Sequence, residues 1–567
     1  MTTLSAPFTV IGGLLASVPI YGRILIGIAL FLLWVYVYNW PYTEYTLSYR
    51  NVPGPPRSSF LWGSLLDVLQ SKPGERHTQW TAEYGPTHRF HSVFGTIRLY
   101  TADPGGLSFI LQHSDDFIKP ERSNRTLKEM IGDGILTAEG ADHRRQRKIM
   151  NPAFGPAALR DMLPIMWEKT YELKAKLFSL IEDPSNEEAS PTPPVAMDIV
   201  PGARKVDMLK YIAMTALDII GSAGFGYEFN SIGQGHNPLA TAFSRMFSLG
   251  QQIKPLRVLQ IMFPVLKVIP TESARIIKEC YDLCCGIGRD IVHRKRRQIQ
   301  AEYSGDIEKK TDMGKDLLSI LMKANMAPDL RPDQKMSDDE VLAQITTFML
   351  AGNETTSTAL TWAVYRLSQH PDIQKRLRAE CSAVDSDQPG IDELNALPYL
   401  DKVTHEVLRY DGPVPSTERM AARDMVIPLT IPIIGRDGTI MTSINAKKGC
   451  DIAIPIMSVN RSESVWGPDA DQFNPDRFDV GGFPKEPVPG VYGSLMTFLG
   501  GPRNCIGYRF ALAEFKAILF MLARSFEIET LPSKPVIEHK ANIVIRPRVV
   551  GEEEAGLQMP LLLRLVE

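Results

Sequence analysis

Two uncharged apolar runs open the chain. The first is Phe8 to Ile20, and the second, Ile24 to Trp40, reads ILIGIALFLLWVYVYNW, with Arg23 as the charge between them. The second run is slightly short of the roughly 20 residues that cross a bilayer, and Trp34, Tyr36, Tyr38 and Trp40 suit a membrane interface. The pattern predicts an N-terminal membrane anchor over 1–40 in preference to a cleaved signal peptide, because the apolar stretch is long for a signal and no charged segment precedes it. A single tilted span and a shallow hairpin both satisfy it. Arg50 and Arg57 follow the anchor and no basic residue precedes Arg23, which puts the bulk of the protein on the cytosolic side.

Val52-Pro53-Gly54-Pro55-Pro56 is too rich in proline for helix or strand, so 41–56 reads as a stiff hinge leading into one domain over 57–567. In that domain Arg89 to Tyr100 has the β-branched and aromatic content of a hairpin with Gly95 near its turn. A basic helix starts at Glu139 and stops at Asn151-Pro152, an acidic proline-rich loop spans Glu182 to Pro201, and a strong helix returns at Asp207. Val258 to Pro270, VLQIMFPVLKVIP, reads first as core and second as a segment dipping into a bilayer. The longest helical pattern runs from Ser337 to about Ser368 and is apolar on several sides, while 542–546 and 561–565 read as closing strands. The expected class is mainly α with small β-sheets (α+β).

The 567 residues carry 62 basic and 65 acidic side chains, a balance that gives no sign of nucleic-acid binding. The six cysteines form no CxxC pair, the usage of a reducing compartment. Cys280, Cys284 and Cys285 fall on one side of a helix with no histidine or fourth thiol beside them, so they read as buried small side chains.

Chemistry concentrates between Ser494 and Ala511, SLMTFLGGPRNCIGYRFA. Cys505 lies between two glycine elements that let the backbone turn tightly and approach something flat before a helix predicted to start at Ile506. A thiolate at a helix N-terminus is stabilised by the dipole and free N–H groups, which suits a ligand to haem iron. Phe498 would cover the loop on its far face, and Arg503 is placed to meet a haem propionate. A lone cysteine is more often a buried thiol, but the order Phe, Gly, Arg, Cys, Gly reverses that weighting. The stretch resembles the cysteine-ligand loop of the cytochrome P-450 monooxygenases, the haem-thiolate family.

That resemblance covers the chain from about Pro53 and implies the family's haem-thiolate fold behind the anchor. It assigns Arg147 to a propionate, with His143 standing where the family has a tryptophan and acting as a hydrogen-bond donor, and it matches Arg419 to the second propionate arginine. In Ala351-Gly352-Asn353-Glu354-Thr355-Thr356, it implies that Gly352 lets dioxygen approach while Glu354 and Thr355 deliver protons. Glu406, Arg409 and Arg477 would form a buried cluster bracing the cysteine loop, Val414-Pro415-Ser416 would line the distal pocket, and 258–270 would lie over the substrate entrance.

The implied activity is insertion of one oxygen atom into a lipophilic substrate, at the endoplasmic reticulum membrane with the catalytic domain facing the cytosol. The motifs are similar to those of fungal members that modify terpenoids, fatty acids or aromatic compounds, which suggests secondary metabolism. The chain has no GxGxxG unit after a strand, so electrons are expected from NADPH-cytochrome P-450 reductase, docked against Arg144, Arg145 and Lys148. A haem-thiolate isomerase or dehydratase is weighed against by Thr355, since such members often lack it, and a haem sensor would need no proton relay. A cytosolic domain also predicts no glycan on Asn124, Asn353 or Asn460, each in an N-x-S/T sequon.

Overall fold

The computed structural model describes residues 19–566 apart from 184–195, 235–237, 240, 243–244, 246–254, 305–315, 327–329, 480–483, 485–486 and 542. The first apolar run lies almost wholly outside the described residues. The second forms a helix, Ile20–Val37, that continues through a π-helical turn at Tyr38–Tyr42 into Thr43–Thr46. Pro41 sits in that turn, where its missing N–H is absorbed by the change of hydrogen-bond register. These 27 residues are long and apolar enough to cross a membrane, and none of the apolar window is buried against the rest of the chain. The expected hinge therefore begins later than 41, because helix persists to Thr46 and only Val52 to Pro56 is extended proline-rich chain. Trp40 closes the junction by stacking on Phe60 at 4.2 Å and donating its indole N–H to the Phe60 carbonyl.

One helix, Asp338–Gln369, runs through the core, and its residues Leu360, Trp362, Ala363 and Val364 have no exposed surface. It starts on a capping box in which Ser337 and Glu340 satisfy each other's backbone N–H groups, with Asp338, Asp339 and Glu340 complementing the helix dipole. The helices Met208–Ile219, Glu272–Ser304, Pro398–Tyr410 and Tyr508–Ser525 pack against it. Asp207 caps Met208–Ile219 through the N–H of Leu209, as the sequence suggested for that start.

The largest sheet has, in spatial order, Thr87–His91, Ile97–Thr101, Asp451–Ile454, Thr417–Ala421 and Phe117–Ile118. Its first pair is the expected hairpin, antiparallel with His91 opposite Ile97. Its turn places both Phe94 and Gly95 at positive φ. Two expectations shift. The apolar segment 258–270 is not core, since Phe263, Val265, Val268 and Ile269 are all exposed. The run 542–546 is not one strand either: Ile537–Ala541 and Ile545–Val549 form a hairpin whose turn falls across it. Pro560–Leu565 does form a strand, between Ala203–Asp207 and Phe526–Glu529.

Candidate functional site

The cysteine loop is built from two short 3-10 turns, Met496–Phe498 and Gly501–Arg503, closed by the Cys505 N–H donating to the Phe498 carbonyl at 2.9 Å. Phe498 is thus tied to the cysteine by its backbone, and its ring lies between Tyr492 and Tyr508. The two glycines before the cysteine answer to neighbouring backbone rather than to a flat group. A Cβ on Gly500 would lie 2.1 Å from the Pro489 carbonyl oxygen, and one on Gly501, at φ +70°, 2.2 Å from that of Leu111.

The following helix starts at Tyr508, not at Ile506, so Cys505 precedes it by a turn of non-helical chain. Of the six cysteines, Cys505 alone is exposed while the other five are buried, as expected for Cys280, Cys284 and Cys285. The residue keeps solvent-accessible surface although protein atoms crowd round it. Burial pushes the thiol up, against the opposing pull of the Gly507 N–H and the Arg147 guanidinium, so the loop by itself does not make a thiolate. A cation at the sulfur is needed to hold it deprotonated.

A cluster of cations stands beside the cysteine loop. Arg503 donates to the Ala138 carbonyl at 2.7 Å and pairs with Glu139, which Lys119 also meets at 3.9 Å. Arg419 is buried and, among the described residues, donates to neutral oxygens, the Glu418 carbonyl at 2.7 Å and Thr417 Oγ1 at 3.2 Å. Arg147 is bound to Asn504, through the carbonyl at 2.7 Å and through Oδ1, so it braces the residue before the cysteine as well as standing among the cations.

The charges are unbalanced. Burial, Arg419 and Arg503 push Lys119 down to about 7, while Arg419 itself falls to about 10 by burial and by Arg503. His143, buried beside Arg503, Arg147 and Lys119, falls to about 3 and is neutral, leaving an imidazole N–H able to donate. Lys119, Arg147, Arg419 and Arg503 gather here, and Glu139 pairs with only Lys119 and Arg503, which leaves a donor set suited to two propionates. Lys119 and Glu139 carried no pattern that would have singled them out.

The central helix carries a polar break at Ala351–Thr356. Ala351 is exposed and Thr355 half-buried in a helix otherwise enclosed at this level, and the Thr355 hydroxyl donates back to the Ala351 carbonyl at 2.8 Å. Gly352 packs against Ile220, whose side-chain atoms would lie 3.1 Å from a Cβ there, so its missing side chain lets the helix approach that residue closely. Glu354 is 3% exposed and paired with Arg546 of the C-terminal hairpin. Arg546 was passed over in the sequence as one charge within an apolar strand.

Glu406, Arg409 and Arg477 come together as a buried cluster, although 71 residues separate Glu406 from Arg477. Arg409 binds both Glu406 oxygens, at 2.7 and 2.8 Å, and Arg477 donates to Glu406 at 3.1 Å. The remaining guanidinium N–H groups of Arg409 go to the carbonyls of Asn460, Ala470 and Gln472, and Arg477 adds Asp469. With every charge so matched, removal of one partner would cost about 3–5 kcal/mol. Asn460, read only as a sequon, is the strut between this cluster and the cysteine loop, since its side chain binds Met496 and Thr497.

The family model described as cytochrome P450 matches residues 53–550. The chain belongs to the cytochrome P450 family. It is similar to cytochrome P450 monooxygenase 205 of Postia placenta, 40% identical over 91% of this chain and 92% of that protein. It is also similar to cytochrome P450 monooxygenase 128 of the same fungus, at 39% identity over 92% of this chain and 93% of that one. Cytochrome P450 monooxygenase claO of Ampulloclitocybe clavipes is 34% identical over 91% of this chain and 94% of that protein. This cytochrome P450 is therefore a haem-thiolate oxidoreductase of fungal type, and its accessible thiol and surplus cations fit haem.

The expected docking cations divide. Arg144 is exposed, with a salt bridge to Asp115, and Lys148 is exposed. Arg145 is committed inward instead, bound to both Glu340 oxygens and to the Lys335 carbonyl, so it locks the basic helix Gly140–Met150 to the start of the central helix.

Proposed function

We propose that this cytochrome P450 is a membrane-anchored monooxygenase that takes electrons from NADPH through a separate reductase and hydroxylates a lipophilic substrate. The observation that carries the reading is the pairing of one accessible cysteine, Cys505, with the polar break Ala351–Thr356 of an otherwise buried helix. Cys505 would hold the haem iron, while Arg503, Arg419, Lys119, Arg147 and the neutral His143 would hold the propionates. Haem, when bound, supplies dioxygen binding and O–O cleavage. Thr355 offers a hydroxyl that accepts a proton at Oγ1 while donating its own, and Glu354 supplies the acid-base group one residue away. Val414, Pro415 and the exposed Ser416 would bound the substrate space.

The anchor helix and the apolar surface at Phe263, Val265, Val268 and Ile269, together with exposed Phe60 and Leu61, support attachment to the endoplasmic reticulum membrane with the domain on its cytosolic face. Phe94 stacks edge-on against Phe263 and links the first hairpin to that surface. A role in secondary metabolism, such as terpenoid modification, is supported by the similarity to several distinct monooxygenases, claO, claQ and claP, within Ampulloclitocybe clavipes. The test is oxygen uptake by the full chain with reductase and NADPH, followed by product analysis on a lipid and terpenoid panel. Oxygenated product establishes the reading. Haem-thiolate spectra without NADPH-dependent oxygen uptake would replace it with a sensor or an isomerase.

A further inference from the structure

The acid of the central helix is bound to a strand. Glu354 and Arg546 are 3% and 6% exposed, so their ion pair lies in the core. Arg546 is held in place independently of Glu354. The neighbouring Ile545 accepts the Trp362 indole N–H at its carbonyl, 2.9 Å away, and donates its own N–H to the Pro413 carbonyl at 2.8 Å. Trp362 lies about two turns beyond Glu354 on the same helix. On the other strand of the hairpin, His539 stacks on the Trp362 ring at 3.9 Å, within 5° of parallel, and its Nε2 meets Asp411 Oδ1 at 3.0 Å. Asp411 is in turn gripped by Arg366. The guanidinium is thus delivered to Glu354 from a strand clamped to the same helix and to the segment leading into Val414.

From this arrangement we infer that Arg546 is a positioning residue for oxygen activation, fixing the charge and orientation of Glu354, and this rests on Glu354 and Thr355 acting as the proton-delivery pair. With Arg546 beside it, Glu354 is a carboxylate that accepts a proton from water and gives the same proton up toward Thr355, returning to its ion pair with no net change. Without the cation, a carboxyl group this deeply buried keeps its proton, because the ionised form has nothing to meet it. A lysine at 546 retains the charge but loses the planar fork.

The test compares the wild type with Glu354→Gln, Arg546→Gln, Arg546→Lys and the double variant Glu354→Gln/Arg546→Gln, each as the haem-loaded full chain. Infrared spectra supply the first readout. Arg546→Gln should gain a protonated-carboxyl C=O band that is missing from the double variant and from the wild type. Glu514, buried with its Oε1 unpartnered and its carboxyl pushed strongly upward by burial, contributes a constant band to all five.

The second readout is NADPH consumed per dioxygen with reductase and no organic substrate, where one NADPH per dioxygen yields hydrogen peroxide and two yield water. Both single Gln variants should fall toward one. Arg546→Lys should recover part of the difference, and the double variant should match Glu354→Gln, since Arg546 acts only through that acid. An unchanged ratio in Glu354→Gln would overturn the proton-delivery reading itself. If Glu354→Gln lowers the ratio while the double variant lowers it further, or Arg546→Gln shows no carboxyl band, Arg546 is not the positioning residue. Should Arg546→Gln alone fail to retain haem, the double variant, which buries no lone charge, still decides the matter against Glu354→Gln.

Discussion

Asn460 accepts the backbone N–H of Met496 at 2.9 Å, and the same side chain donates to Thr497 Oγ1 at 2.8 Å. Through its own carbonyl it also receives Arg409, so one residue joins the buried charge cluster to the first turn of the cysteine loop. Asn460→Ala leaves the Met496 N–H buried without a partner, a cost of about 1–3 kcal/mol. The expected outcome is a lower haem content after purification and a lower thermal midpoint. Asn460→Asp, which keeps the acceptor, should retain more haem than Asn460→Ala, measured as haem absorbance per protein.

The same contact bears on topology. Asn460 is 1% exposed, Asn353 is 3% exposed, and the Asn124 amide donates to the Thr137 carbonyl at 2.9 Å. All three asparagines are buried or hydrogen-bonded in the folded protein, which itself disfavours glycan there, so absence of glycan does not report which side of the membrane the domain occupies. Protease protection of the domain in sealed microsomes does, and a cytosolic domain should be fully digested.

Electron delivery gives the next expectation. Arg144 and Lys148 are exposed on the basic helix, whereas Arg145 is locked to Glu340. Arg144→Glu together with Lys148→Glu should slow reduction by the reductase several-fold at low ionic strength and much less at high salt, with peroxide-driven turnover unchanged. Stopped-flow reduction across a salt series measures this. Loss of peroxide-driven turnover as well would show that the pair holds the fold or haem.

A pH effect follows from the satellite cluster near the first hairpin, far along the chain from the cysteine loop. His77 and His88 stack on Tyr100, at 4.7 and 4.2 Å, and burial pushes them down to about 3 and about 4. Both folded-state values lie below the ordinary histidine value near 6.5, so at falling pH the unfolded chain takes up protons that the folded chain refuses. Their contribution favours folding above pH ~6.5 and turns against it between ~6.5 and 4. His77→Phe, which keeps the stacking surface, should flatten the loss of stability over that range, read as urea midpoints at pH 7 and pH 5. Parallel curves for variant and wild type would contradict the assignment.

Much of this was legible because the local signals were redundant. The long helical pattern from Ser337 and the hairpin around Gly95 each combine a periodicity with fitting residue types, while the Glu406–Arg409 spacing is common by itself and reads as part of a buried cluster only through the family resemblance. What escaped is non-local. Arg546 meets Glu354 from a strand far away in sequence, and Lys119 and Glu139 join the cations at Arg503 only when three segments fold together. The packing of Gly352 against Ile220 is of the same kind, since Ile220 lies on another helix far earlier in the chain. The surface at Phe263 to Ile269 was misplaced because an apolar run looks the same whether it faces a core or a membrane.

The central claim is that Cys505 carries the iron, and the reduced carbon monoxide spectrum of Cys505→Ser tests it most directly. The wild type should give the red-shifted Soret band of a thiolate-ligated ferrous carbonyl. Serine is a poor and mostly protonated ligand, so the variant should lose that band and retain little haem, while Cys450→Ser, at a buried cysteine away from the loop, keeps it. An unshifted thiolate-type band in Cys505→Ser would show that another group holds the iron.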